Sequence, residues 1–219
     1  MATTIAPVNR RRLVSAKHVT LAVFAAMTLF VAVTRDRTLL DSNSPLHKRY
    51  AAIPLLMFIH GIPGALGLFL GFLQFSSRIR QQHLQLHRIM GRVYVACVAI
   101  AAPAAVVVSL KLPTHNLTMA AVIQSFGWLI TTATALYCIR TGKVQQHREW
   151  MMRSYPFAMV FVVVRVVLAI PAVASNGVNG IISTVWTVLT IACFLPSFLI
   201  EWQKLASNRL SRSRSAAAS

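Results

Sequence analysis

Acidic side chains are what this chain has least of. Four Asp and Glu stand against 22 Lys and Arg in 219 residues, a formal charge of +18. Charged residues of all kinds make up 12%, where a soluble domain carries about 25%, and 56% of the chain is hydrophobic. That balance excludes an ordinary soluble domain and reads as an integral membrane protein. None of Asp36, Asp41, Glu149 and Glu201 lies inside a long apolar run, which excludes a carboxylate proton relay of the pump type. Cysteine is scarce too. Cys97, Cys138 and Cys193 are odd in number, form no CxxC and sit in apolar runs. Neither a disulfide framework nor a metal site is expected from them. Phosphate loop, acyl-transfer triad and HExxH are all missing, so the sequence leaves open whether the protein is an enzyme. The basic excess is dispersed in short clusters between apolar runs, not gathered into a patch, and nucleic acid is not expected as a partner.

What the chain does have is apolar length. Six runs stand out, at 18–34, 51–77, 94–110, 117–139, 155–173 and 181–200. Each is near the length of a helical membrane span, and none alternates as a barrel strand does. The expected fold class is all-α, an integral membrane helical bundle of about six transmembrane helices. Residues 1–17 read as a cytoplasmic basic N-terminus, 18–202 as the six-span transmembrane domain and 203–219 as a disordered basic cytoplasmic tail. No small-x-small cleavage site follows the first run, which is expected to remain as a span. The Asn176-Gly177 and Asn179-Gly180 pairs mark a turn before the last span. With the N-terminus inside, sixteen Lys and Arg fall on inner segments, five on outer ones, and Arg165 inside a span. The asymmetry places both termini in the cytoplasm of a bacterial-type inner membrane. Partners are then the lipid bilayer and, at the cytoplasmic face, its anionic lipids.

Residues 51–77 form the stretch around which the rest is expected to be organised. At about 100° per residue, Gly64, Gly67 and Gly71 share a narrow arc with His60. Something must approach this backbone closely: another helix, or a flat cofactor or substrate. Pro63 kinks the same helix and frees the carbonyl of Ile59.

The two inner loops repeat. One reads QLHRIMGRVY and the other QQHREWMMRSY, with His87-Arg88 and His147-Arg148 60 positions apart. This suggests two duplicated helical hairpins, spans two–three and four–five. The HR motifs, an arginine inside the following span and a Trp186…Glu201 ending resemble the bacterial membrane family DUF2306, a domain of unknown function, over about residues 50–202. Where that family carries Asn ahead of the final Glu, this chain has Ser197. The resemblance implies a polytopic membrane protein and no established reaction. Only as a histidine-bearing helical bundle is the chain similar to the two-haem transmembrane cytochromes b.

Two constellations could carry chemistry. Counting helical rise puts Arg165 about 16 Å from the inner end of span five, and His60 and Gln124 about 13 and 10 Å below the outer boundary. A charge at that depth is a functional candidate, and no acidic residue reaches it. His60, Gln124 and Arg165, lined by Gly64 and Gly67, therefore form either a fixed polar cluster or a site for an anionic or carbonyl-bearing ligand. His115 is the spare histidine that could approach this side. At the inner interface, His87, Arg88, His147 and Arg148 suit haem b ligation by the two histidines, contact with lipid phosphates, or plain solvation as snorkelling surface groups. Three functions stay open: a haem- or quinone-linked redox protein using the midplane residues, a transporter or lipid- or small-molecule-binding protein, and a non-catalytic assembly factor or sensor.

Overall fold

An apolar run in lipid has no water to satisfy its peptide groups, so it must bond its backbone within itself. The computed structural model describes residues 10–34, 41–112 and 117–218, and every regular element among them is an α-helix. These are α1 (Arg10–Thr34), α2 (Pro45–Tyr50), α3 (Pro54–Gln74), α4 (Ser77–Gln82) and α5 (Leu84–Lys111). The second half adds α6 (Thr118–Arg140), α7 (Val144–Val167), α8 (Pro171–Ala174) and α9 (Gly177–Ala218). His115, Arg35, Asp36, Arg37 and residues 1–9 of the basic N-terminal segment lie outside the described residues.

Five helices are long and apolar enough to cross a membrane: α3, α5, α6, α7 and the Gly177–Ala206 part of α9. The sequence suggests six. The first expected span lies within the helix Arg10–Thr34, of which Ala22–Thr34 is a shorter apolar stretch. Three further differences follow from the helix ends. Span five stops early, at Val167, because Pro171 and the turn at 168–170 interrupt it before residue 173. The turn falls at 175–176, and Gly177, at φ 55°, is already the first residue of α9, as Asn179 and Gly180 are part of it. And α9 continues through the expected tail as far as Ala218.

The α6–α7 connection is tight for a local reason. Gly142 adopts φ 77°. Its N–H donates to the Ile139 carbonyl at 3.3 Å while Lys143 N–H reaches back to Cys138 O at 2.8 Å, the paired closure that a left-handed glycine allows at a helix C-terminus.

The closest pairings are α3 with α5 and α6 with α7, followed by α5 with α6 and α7 with α9. The apolar centre is built by Tyr94, Val98, Ala101 and Ala102 of α5, Trp128 of α6, Phe157 to Val164 on the inward side of α7, and Leu189 of α9. The alanines let neighbouring backbones come close. α1 adds Val31, which is buried against the same centre. By contrast α3 lies at the edge, with Leu55, Phe58, Ile62 and Phe69 exposed as lipid-facing side chains would be.

Candidate functional site

His60 lies six residues into α3 and Gln124 six into α6, each about 9 Å from one end of the bundle. The two are engaged with different helices. His60 Nδ1 donates to the Ala101 carbonyl of α5 at 3.0 Å, and Gln124 Nε2 donates to the Phe157 carbonyl of α7 at 2.9 Å. Because a carbonyl only accepts, Nδ1 of His60 carries the hydrogen of this bond. Arg165 stands in the last turn of α7, not midway along its span, with its guanidinium 3.8 Å from the Phe161 ring centroid. That end of a helix carries the negative pole, which favours a cation there. Two of the three side chains brace separate helix pairs.

The glycine arc divides. A Cβ on Gly71 would stand 2.6 Å from the Tyr155 ring and 2.9 Å from that of Tyr94, and one on Gly67 would meet Cys97 and Trp128 at 3.4 and 3.8 Å. Here the close approach is made by helices α5, α6 and α7 and their aromatics. A Cβ on Gly64 would meet nothing within 4 Å.

Behind Gly67 and Gly71 lies a polar cluster that the sequence reading does not contain. Trp128 Nε1 donates to the Tyr94 hydroxyl at 2.9 Å, the Tyr94 and Ser154 hydroxyls are 2.9 Å apart, and Ser154 is 2.7 Å from the Thr132 hydroxyl. All four residues are buried. Tyr155, the neighbour of Ser154, donates to the Leu68 carbonyl of α3 at 3.1 Å. Tyr94 and Ser154 are themselves 60 positions apart, the interval that separates the HR motifs, and that was the available signal.

The other constellation sits at the end of the bundle where the Arg-rich segments gather. His147 Nδ1 donates to the Ala135 carbonyl of α6 at 2.9 Å, and Gln74 of α3 donates to the His87 carbonyl at 2.9 Å. His87, in the first turn of α5, lies within electrostatic reach of Arg80 on α4 and of His147 on α7. Its Nδ1 is the one buried side-chain nitrogen or oxygen among the described residues that has no hydrogen-bond partner. Arg88 and Arg148, the second residues of the motifs, are exposed.

Both HR motifs, helices α4 to α8 and Glu201 of α9 fall within residues 57–203, which match the family model described as "Predicted membrane protein (DUF2306)". The chain belongs to this family. Searches of curated proteins and of solved structures return no match.

In this DUF2306 chain the last span is tied to α7 by the only two glutamates of the sequence. Glu149, buried on α7, accepts from Lys204 Nζ at 2.8 Å and from Gln145 at 3.3 Å, and Arg153 lies 3.9 Å away. Glu201 on α9 pairs with Lys204 at 3.0 Å and with Arg153 at 3.5 Å. Charges therefore alternate around the four side chains. Arg153 also donates to Ser197 Oγ at 3.1 Å and lies 5.0 Å over the Trp150 ring. Ser197 supplies the acceptor for this bond on α9. The DUF2306 chain is thus a multi-pass membrane helical bundle, with its polar side chains concentrated at the basic end and in the Tyr94 cluster.

Proposed function

We propose that this DUF2306 protein binds a phosphate-bearing anion, the headgroup of an anionic lipid, at the basic end of its bundle through His87, His147, Arg80 and the exposed Arg88 and Arg148. The reading includes six spans with α1 as the first, both termini in the cytoplasm of a bacterial-type inner membrane, and two hairpins, α3–α5 and α6–α7, descended from one. The orphaned Nδ1 of His87 carries it. An enclosed nitrogen with no partner loses about 1–3 kcal/mol of hydrogen bonding, and the groups around this one are cationic or already bonded. A phosphate oxygen supplies both the acceptor and the counter-charge. The midplane alternative has less support, since His60 and Gln124 each brace a helix pair through a carbonyl.

Calorimetric titration of the full-length protein in neutral detergent tests the reading, with dioctanoyl phosphatidylglycerol, dioctanoyl phosphatidylcholine and sulfate as probes. The phosphatidylglycerol should bind, the phosphatidylcholine should not, and the double substitution of His87 and Arg80 by Ala should weaken binding at least tenfold. Equal affinity for sulfate would assign the site to a free anion, and equal binding by the double variant would end the reading.

Haem b between His87 and His147 is a second reading, favoured by one observation. The His147 Nδ1–H bond to Ala135 O leaves Nε2 free in the tautomer that metal-ligating histidines adopt. In that case Arg80 and Arg88 would face the propionates. A reduced-minus-oxidised b-type spectrum that disappears in His87→Ala and in His147→Ala would establish it, and a flat spectrum after haem supplementation would remove it.

A further inference from the structure

We propose that the His87 site takes up a proton as it binds its anion, so that occupancy by a phosphodiester headgroup is pH-dependent. The inference rests on the site reading above.

The surroundings of the ring give the reason. The charged and titratable groups that face His87 are the Arg80 guanidinium from α4 and the His147 ring from α7. From α3 comes Gln74, whose amide is bound to the His87 carbonyl, and from α6 the Ala135 carbonyl, which holds His147. No carboxylate answers them, because Glu149 and Glu201 are both engaged with Lys204 and Arg153. An imidazolium in the empty site would stand among like charges with an enclosed N–H and no acceptor. A bound phosphodiester reverses both conditions. It brings a negative charge within reach of the ring and oxygens that accept a hydrogen bond. Neutral imidazole has one N–H to offer, whereas imidazolium has two. The occupied site therefore holds one more proton, taken from solvent onto a His87 nitrogen, and no other bond is made or broken. Position matters as well: His87 precedes the apolar run 94–110 and lies at the interface, where solvent can supply the proton.

The direction of the effect follows from linkage. His87 holds its proton to higher pH in the occupied site than in the empty one. Affinity is fully present below the empty-site value and is lost as pH rises through the occupied-site value, with a limiting slope of about one decade in Kd per pH unit. Histidine places that window near neutrality.

Dioctanoyl phosphatidylglycerol suits the test because a phosphodiester keeps its charge between about pH 5.5 and 8, unlike a phosphomonoester with a second ionisation near pH 6. Titrations of the full-length protein in buffers of different ionisation enthalpy count the protons exchanged on binding. The expected result is uptake approaching one proton near pH 7, with Kd weakening by up to tenfold per pH unit above it. His87→Asn, which keeps an N–H donor and cannot titrate, should bind with no uptake and a flat pH profile. Wild-type binding that is pH-independent and exchanges no proton overturns the inference and leaves the anion site standing. Uptake that persists in His87→Asn overturns the assignment to this ring. Binding unchanged when His87 and Arg80 are both replaced by Ala overturns the site itself.

Discussion

Replacing Tyr94 by Phe removes one oxygen from the centre of the bundle and leaves its volume almost unchanged. That oxygen accepts from Trp128 and meets Ser154, which in turn meets Thr132. The consequences differ for the two neighbours. Ser154 keeps the Thr132 hydroxyl as a partner, so its loss is partial. Trp128 Nε1–H has no other acceptor among the described contacts, and the indole is buried. An orphaned buried donor costs about 1–3 kcal/mol in proteins generally. Side-chain hydrogen bonds within membrane bundles average about 0.6 kcal/mol, with a maximum near 1.7. The expected destabilisation for Tyr94→Phe is therefore about 2 kcal/mol, and for Ser154→Ala about 1 kcal/mol. Because the two groups share a bond, the double variant should be less destabilised than the sum, by about 0.5 kcal/mol or more. Unfolding in mixed micelles with increasing denaturing detergent provides the four free energies of the cycle. Strict additivity, or a Tyr94→Phe protein as stable as wild type, would refute the idea that this hydroxyl joins α5, α6 and α7.

The glycine arc gives a paired prediction: Gly71→Ala drives a methyl into the Tyr155 and Tyr94 rings and should cost about 1–3 kcal/mol, while Gly64→Ala meets open space and should be neutral or slightly stabilising by the same unfolding assay. At the α7–α9 contact, Glu149→Gln should lower the thermal midpoint more than Glu201→Gln, since the Glu149 side chain is 11% exposed and that of Glu201 57%; the reverse order would show that the exposed carboxylate holds α9. Arg165→Leu should leave phosphatidylglycerol binding intact while losing the contact with the Phe161 ring and the interaction with the helix terminus, the latter worth about 0.3–1 kcal/mol, whereas loss of binding in this variant would move the site to the opposite end of the bundle. Reporter fusions after Ser207 and within 81–87 should both read cytoplasmic, and fusions within 41–46 external; an external signal from 81–87 would separate His87 from the cytoplasmic lipid surface.

The architecture was legible because the membrane simplifies the code. With only 12% charged residues, apolar runs and basic clusters alternate so plainly that the helices can be marked without any tertiary information. The limits of the helices were less legible, since they depend on single residues. Pro171 ends α7 early and thereby moves Arg165 from the expected middle of a span to the last turn of a helix. A depth count taken from hydropathy alone cannot register that, because Val167 and Val173 look equally apolar. The candidate site was legible in part. The HR motifs named His87 and His147, but the guanidinium within electrostatic reach of His87 is that of Arg80, one arginine among several in an undifferentiated basic loop.

The buried hydroxyl cluster was missed for a different reason. In a water-soluble protein a Tyr, a Ser and a Thr spread over three segments carry no shared signal, and membrane sequences tolerate such residues as ordinary helix contacts. Only the interval links them. If the two hairpins descend from one, residues at equal positions face each other across the axis that relates them, as Tyr94 and Ser154 do in sharing a hydrogen bond. His87 and His147 occupy equal positions by the same interval, and they too lie within electrostatic reach. The consequence can be examined without a ligand. α5 and α7 make little close backbone contact, so the axis is tested across the gap between them: cysteines introduced at His87 and His147, and separately at Gly91 and Met151, should be bridged by a short bifunctional maleimide. Cysteines at Gly91 and His147, one turn out of step, should be bridged less efficiently. Equal yields for matched and mismatched pairs would remove the axis, and with it the argument that the two histidines form one site.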